Sequence, residues 1–235
     1  AYLDIHGLFL FVIFSLLVWE TGRWLRSVKV RALRGKRDLL LAGVLVFFGL
    51  LVGSIAAAMA DYQAALIVVP MLAWIAVLFF RSGQAIVMQF VLVIAALALA
   101  LTLAVEIVVL DGDIGRQNTV FKFYIQVWLL FSVAAGAGVA WLLEASRRWR
   151  PSLFYLWYGV GSLLFIVAAL FPVMSTIGKS GFRLSRDVGP TLDGALFMKA
   201  TTDYFEGGVE SLIDMSLDYR AITWLQDNVE GSPVI

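Results

Sequence analysis

Cysteine is absent from the chain, which excludes disulfides, cysteine-ligated zinc and iron–sulfur clusters and leaves the redox compartment open. Histidine occurs once, at His6; that argues against a histidine-rich metal site or a histidine-based triad, and His6 reads as an interfacial polar residue. No glycine-rich loop runs into Lys-Ser or Lys-Thr, so a nucleotide-driven motor is not expected. Charge is scarce as well. Only 15% of the 235 residues are charged against 61% hydrophobic, and the mean hydropathy of +0.90 is far above that of an ordinary globular domain. The class is therefore a polytopic membrane protein. The net charge of +1 says little, because membrane proteins segregate charge by side and the sum hides it. Neither end reads as a natural terminus: the chain opens Ala1-Tyr2-Leu3-Asp4 without the basic leader of a signal peptide and stops at Ser232-Pro233-Val234-Ile235, where a strand is expected to start.

Hydropathy predicts an all-α bundle of six spans, at about 2–19, 39–60, 64–80, 85–110, 119–143 and 153–174. The connection from Glu20 to Asp38 carries Arg23, Arg26, Lys29, Arg31, Arg34, Lys36 and Arg37, and the connection at 144–152 carries Arg147, Arg148 and Arg150. Short basic loops stay inside, so both are placed in the cytoplasm, with 106–118 and 175–235 outside a plasma membrane. A basic run could also bind nucleic acid, but beside a membrane its topogenic and lipid-headgroup roles take precedence, and no nucleic-acid partner is expected. Small residues in Ala134-Ala135-Gly136-Ala137-Gly138 allow close approach of another helix. Past Ser175 the chain turns acidic and is broken by glycines. Ser216 reads as the N-cap of an amphipathic helix with Leu217, Ala221, Trp224 and Leu225 on one side, leading into Pro233-Val234-Ile235 as the start of an extracytoplasmic α/β extension.

The stretch most in need of a reason is the polar mouth between the fourth and fifth spans. Asp111-Gly112-Asp113 leads through Arg116 into a helix where Asn118, Lys122 and Gln126 recur every fourth residue, a polar stripe descending into the membrane. Glu106 and Lys122 fall at similar depth on antiparallel neighbours. They could form an ion pair that holds the hairpin, or Lys122 could snorkel. Alternatively the mouth is a site for an anionic lipid-linked substrate: Arg116 and Lys122 supply cations at the depth of lipid phosphates, and Asn118 and Gln126 hydrogen-bond a polar headgroup or sugar. Asp111 and Asp113 could bind a divalent cation, magnesium or manganese, or act as a base, or be turn residues. Gln126 cannot snorkel and should find a partner within the bundle.

The run Arg116-Gln117-Asn118-Thr119-Val120-Phe121-Lys122-Phe123-Tyr124-Ile125-Gln126-Val127-Trp128 resembles a signature of the uncharacterised YYY family of polytopic membrane proteins. Pro190-Thr191-Leu192-Asp193-Gly194 and Asp218-Tyr219-Arg220-Ala221-Ile222-Thr223-Trp224-Leu225 resemble its later segments. That family is similar to GT-C type glycosyltransferases, which use polyprenyl-phosphate donors and work on the extracytoplasmic side. The resemblance implies sugar transfer from a polyprenyl phosphate, with Asp111, Asp113 or Glu106 as the catalytic acid or base and the cations on the leaving phosphate. GT-C enzymes usually carry their key acid in an earlier loop than this one. The partners implied are membrane lipids, a polyprenyl-phosphate-linked sugar, and the rest of the same protein or other membrane subunits. Two other readings stand beside it: a non-catalytic structural or accessory subunit of a larger membrane complex, and a transporter. The Ala/Gly-rich lower half of the fifth span offers a transporter no polar path.

Overall fold

Hydrocarbon supplies no hydrogen-bond partners, so an apolar chain must satisfy its backbone within each segment, and helices do so. In the computed structural model, which describes residues 2–27, 37–108, 116–183, 188–189, 191–200 and 214–231, every expected apolar segment is a helix. These are α1 (Tyr2–Ser27), α2 (Arg37–Met59), α3 (Ala65–Phe79), α4 (Ile86–Ile107), α5 (Arg116–Ser146) and α6 (Pro151–Arg183). Two short helices follow, α7 (Leu196–Ala200) and α8 (Met215–Asn228), and no strand occurs among the described residues. By length and composition α1, α4, α5 and α6 can each cross a membrane, while the apolar stretches Phe48–Met59 of α2 and Ala65–Phe79 of α3 are shorter. The chain is a multi-pass helical membrane protein. Its mouth, Asp111 to Gly115, lies outside the described residues.

The chain divides into two compact units, Ala1–Phe165 and Ile166–Ile235, the boundary falling within α6. In the first unit α1 packs against α3 and α5; α4 packs against α3 and α5, and α2 against α3. Buried Leu10, Ile13, Leu16 and Leu17 of α1 meet a core that includes Val68 and Ile75 of α3, Leu92 and Leu99 of α4, and Val127, Phe131 and Leu142 of α5. Without water to expel between helices, this association rests on close packing and on polar contacts between helices. Two such contacts tie α1 to its neighbours. Trp74 Nε1 donates to Thr21 Oγ1 at 2.8 Å, and Trp157 Nε1 donates to Ser15 Oγ at 3.0 Å.

The small-residue run of α5 performs its expected role at one position in particular. A Cβ placed on Gly138 would lie 3.3 Å from Val12 Cγ1 and 3.4 Å from Leu16 Cδ2, whereas one on Gly136 would meet nothing within 4 Å. The two glycines should therefore respond oppositely. Gly138→Leu is expected to cost about 1–3 kcal/mol by overpacking the α1–α5 contact, while Gly136→Ala should gain about 0.5–1 kcal/mol from helix propensity. Unfolding free energies measured in mild detergent would check this; a neutral Gly138→Leu would mean that α1 and α5 are not in close contact.

In the second unit α7 packs against α8. The cap of α8 differs from the expectation: Asp214, not Ser216, is the N-cap, and its carboxylate accepts the Ser216 N–H at 2.9 Å. Either residue type caps well; the helix simply begins two residues earlier, with the Ser216 N–H donating to the cap. That hydrogen bond holds the exposed Asp214 carboxyl below its ordinary pKa. No residue of α8 is buried, and Leu217 and Trp224 are exposed. The strand expected at Pro233-Val234-Ile235 lies outside the described residues.

Candidate functional site

The mouth end of the bundle is built by the first turns of α1, the last turns of α4 and the first turns of α5. Thr102 of α4 is buried, and its hydroxyl donates to the Leu99 carbonyl at 2.7 Å. A threonine hydroxyl has one proton to give. Tyr2 is therefore the donor in the 3.0 Å contact between its own hydroxyl and Thr102 Oγ1. The Glu106 carboxylate and the Tyr124 hydroxyl lie within electrostatic reach of Tyr2, so groups from three helices meet at this end. Glu106, Asn118, Thr119, Lys122 and Tyr124 all take part in interactions.

Beneath this cluster lies His6, which sequence reasoning set aside as interfacial. Its side chain is 0% exposed. Rings surround it: Tyr2 at 5.1 Å and Tyr124 at 5.0 Å, both edge-on, and Phe131 at 5.7 Å. Phe131 in turn stacks on Phe9 at 5.6 Å, which fixes the floor of the cage. Among the described residues neither His6 nitrogen has a hydrogen-bond partner. A buried polar group left in this state costs about 1–3 kcal/mol, so the position calls for an explanation that packing does not supply. The signal available in the sequence was slight: a lone histidine one turn from Tyr2 at the end of an apolar helix.

Of the residues expected to form the site, Glu106 and Asn118 are half-buried at the mouth end, and Lys122 and Gln126 lie on the exposed face of α5. The buried face of α5 instead carries Thr119, Val127, Phe131, Ala134 and Leu142. Gln126 thus faces away from the core of this bundle, and no partner for it occurs among the described residues. Asp111 and Asp113 lie outside the described residues, as does the side chain of Arg116. Among the described residues no group of three or more histidines or carboxylates could hold a metal ion.

A second polar locus sits at the opposite, basic end. Glu20 of α1 is 1% exposed, accepts a hydrogen bond from Arg81, in the turn between α3 and α4, and is ion-paired with Arg23 at 3.3 Å. Arg81 Nε also donates to Gln84 Oε1 at 2.6 Å. Beside this network a cleft of about 990 Å³ opens between α1, the end of α5 and the start of α6, lined among others by Trp19, Arg23, Arg26, Trp141, Glu144 and Arg148.

No curated protein and no solved structure matches the chain. The family model that matches is that of an uncharacterized membrane protein family, DUF2298, over residues 1–131, a range that takes in α1 to α4, the mouth and the first half of α5. Both the tyrosine–histidine cage and the Glu20–Arg81 pair fall within that range. With more than half of its length matched, the chain belongs to the DUF2298 family of membrane proteins.

Proposed function

We propose that this chain is the membrane-embedded part of a glycosyltransferase that takes a sugar from a polyprenyl-phosphate donor at the mouth between α4 and α5. The observation that carries the reading is His6: a fully buried imidazole with both nitrogens unbonded among the described residues, directly beneath converging tyrosine, threonine and glutamate side chains. Ionisable groups inside a membrane are expensive and are by default functional.

In this reaction an acceptor hydroxyl oxygen attacks the anomeric carbon of the sugar. The bond from that carbon to the phosphate oxygen breaks, and its electron pair leaves with the polyprenyl phosphate. The hydroxyl proton passes to a carboxylate, for which Glu106 is the best-placed candidate among the described residues. Lys122, with Arg116, would stabilise the charge growing on the leaving phosphate, and Asn118 would hydrogen-bond the sugar or headgroup. Asp111 and Asp113 remain the proposed ligands of a divalent cation, magnesium or manganese, which when bound would neutralise phosphate charge; no step depends on it. The basic residues at the end of α1 and just after α5 support an extracytoplasmic mouth in a plasma membrane.

The test is binding of a short-chain polyprenyl phosphate to the purified full-length protein. Lys122→Ala removes one charge-assisted hydrogen bond and is expected to weaken binding roughly 10- to 100-fold. Arg150→Ala, at the other end of the bundle and outside the lining of the cleft there, should leave it unchanged. No saturable binding by the wild type, or equal loss in both variants, would remove the lipid-phosphate site. A second reading, a structural or accessory subunit of a larger complex, is favoured by Gln126. An amide on the exposed face of a spanning helix suits a contact with another helix, in this protein or a partner, better than contact with lipid. Under that reading both variants would bind alike and Gln126→Leu would weaken assembly.

A further inference from the structure

The proposed sugar transfer makes no use of the cleft at the basic end. Its walls have two characters. Toward the end of the bundle stand three guanidinium groups, Arg23, Arg26 and Arg148, against the single carboxylate of Glu144. Arg23 is held in place: it pairs with buried Glu20 at 3.3 Å and lies over the Trp19 ring at 4.9 Å. Among the described residues neither Arg26 nor Arg148 is ion-paired. Further into the bundle the lining is apolar, with Phe14, Val18 and Leu153 all exposed.

Tryptophan sets the depth of the cleft. Trp19, Trp141, Trp149 and Trp157 all line it, and tryptophans of membrane proteins concentrate at the level of the lipid headgroups. The wall they form is braced: the Trp157 ring stacks on Phe11 at 5.8 Å and meets Trp149 edge-on at 5.7 Å, in addition to its hydrogen bond to Ser15. A Cβ on Gly161 would come within 3.3 Å of the same Phe11 ring, so α6 approaches α1 closely there. The result is a preformed recess with a cationic rim at headgroup depth and an apolar wall continuing into the hydrocarbon.

We propose that this cleft binds one anionic phospholipid, with the headgroup phosphate on Arg26 and Arg148, steadied by Arg23, and the acyl chains along Phe14, Val18 and Leu153. A small soluble anion would satisfy the arginines but leave the apolar wall without an occupant. A zwitterionic lipid would fill the wall but bring no net charge to three cations. Only an anionic lipid matches both halves. Such a site would be separate from the polyprenyl-phosphate mouth, at the opposite end of the same bundle.

The experiment uses the full-length protein in phosphatidylcholine nanodiscs doped with either bromine-labelled phosphatidylglycerol or bromine-labelled phosphatidylcholine. Bromine in the acyl chains quenches nearby tryptophan. The phosphatidylcholine series sets the baseline for tryptophans that merely face lipid, such as Trp128, which is 45% exposed. Wild type should favour the anionic lipid. The double variant Arg26→Gln/Arg148→Gln should lose that preference by roughly fivefold per arginine, about 25-fold in all. The control Arg147→Gln/Arg150→Gln removes the same charge from residues outside the cleft lining and should keep the preference, which separates a site from general attraction to a basic surface. Equal quenching by the two lipids in wild type would overturn the proposal, and so would equal loss in the two double variants. Unchanged thermal midpoints certify that each variant is folded.

Discussion

Replacing Glu20 by alanine should cost about 3–5 kcal/mol of folding stability, the largest single loss expected in this bundle. The carboxylate accepts a hydrogen bond from Arg81 and is ion-paired with Arg23 as well, joining α1 to the α3–α4 turn. Removing it leaves the Arg81 side chain, only 9% exposed, with a hydrogen bond to Gln84 and no countercharge. A buried ion that loses its partner costs several kcal/mol, whereas replacing both ions by apolar groups is often neutral. Glu20→Leu/Arg81→Leu should therefore recover most of what Glu20→Ala loses. Interhelical hydrogen bonds in membranes are often worth less than expected, because the unfolded chain finds other partners. That discount does not rescue Glu20→Ala, since an unfolded chain would let Arg81 reach water at the membrane surface while the folded one holds it buried. Unfolding free energies for Glu20→Leu, Arg81→Leu and the double variant give the coupling directly. A loss below about 0.5 kcal/mol in Glu20→Ala would place the pair among solvent-exposed bridges of little consequence.

The sequence held both partners of that pair without revealing that they meet. Glu20 reads as the first residue of a basic connection and Arg81 as part of a turn; only the packing of α1 beside α3 brings them together. Local information fared better where one physical rule acts on one segment. Each apolar run became a helix because hydrocarbon leaves the backbone no alternative, and the Ala134–Gly138 run pointed to close approach of another helix, which the structure shows to be α1 at Gly138. The polar stripe shows where this kind of reading stops. Its fourth-residue spacing is legible, but which face of α5 is the core depends on the apolar set Val127, Phe131, Ala134 and Leu142 and on what those residues meet. They turn Lys122 and Gln126 outward. His6 was missed for a related reason. Its burial is completed by Tyr124 and Phe131, which arrive from a helix far along the chain, so its neighbours in sequence carried only a slight hint of it.

His6→Phe should raise stability while weakening the polyprenyl-phosphate binding proposed for the mouth. Phenylalanine has nearly the shape of the imidazole and fits between Tyr2, Tyr124 and Phe131, whose rings already meet His6 at 5.1, 5.0 and 5.7 Å. It carries no polar atoms, so the substitution relieves the burial of two ring nitrogens that have no partner among the described residues. The expected gain is about 1–3 kcal/mol, with a further fraction of a kcal/mol from aromatic contacts. Broken local rules of this kind are expected at functional or strained sites, and the rule broken at His6 lies directly beneath the Tyr2–Thr102 contact. If the imidazole meets the donor or the acceptor, the same substitution removes a buried hydrogen-bonding group from the site and should weaken polyprenyl-phosphate binding or transfer by at least about tenfold. The two readouts move in opposite directions, and no purely structural role produces that combination. Higher stability with unchanged binding would make His6 a packing residue and take it out of the site. A fall in stability would show that its nitrogens are bonded in the folded protein, removing the observation on which the proposed function chiefly rests.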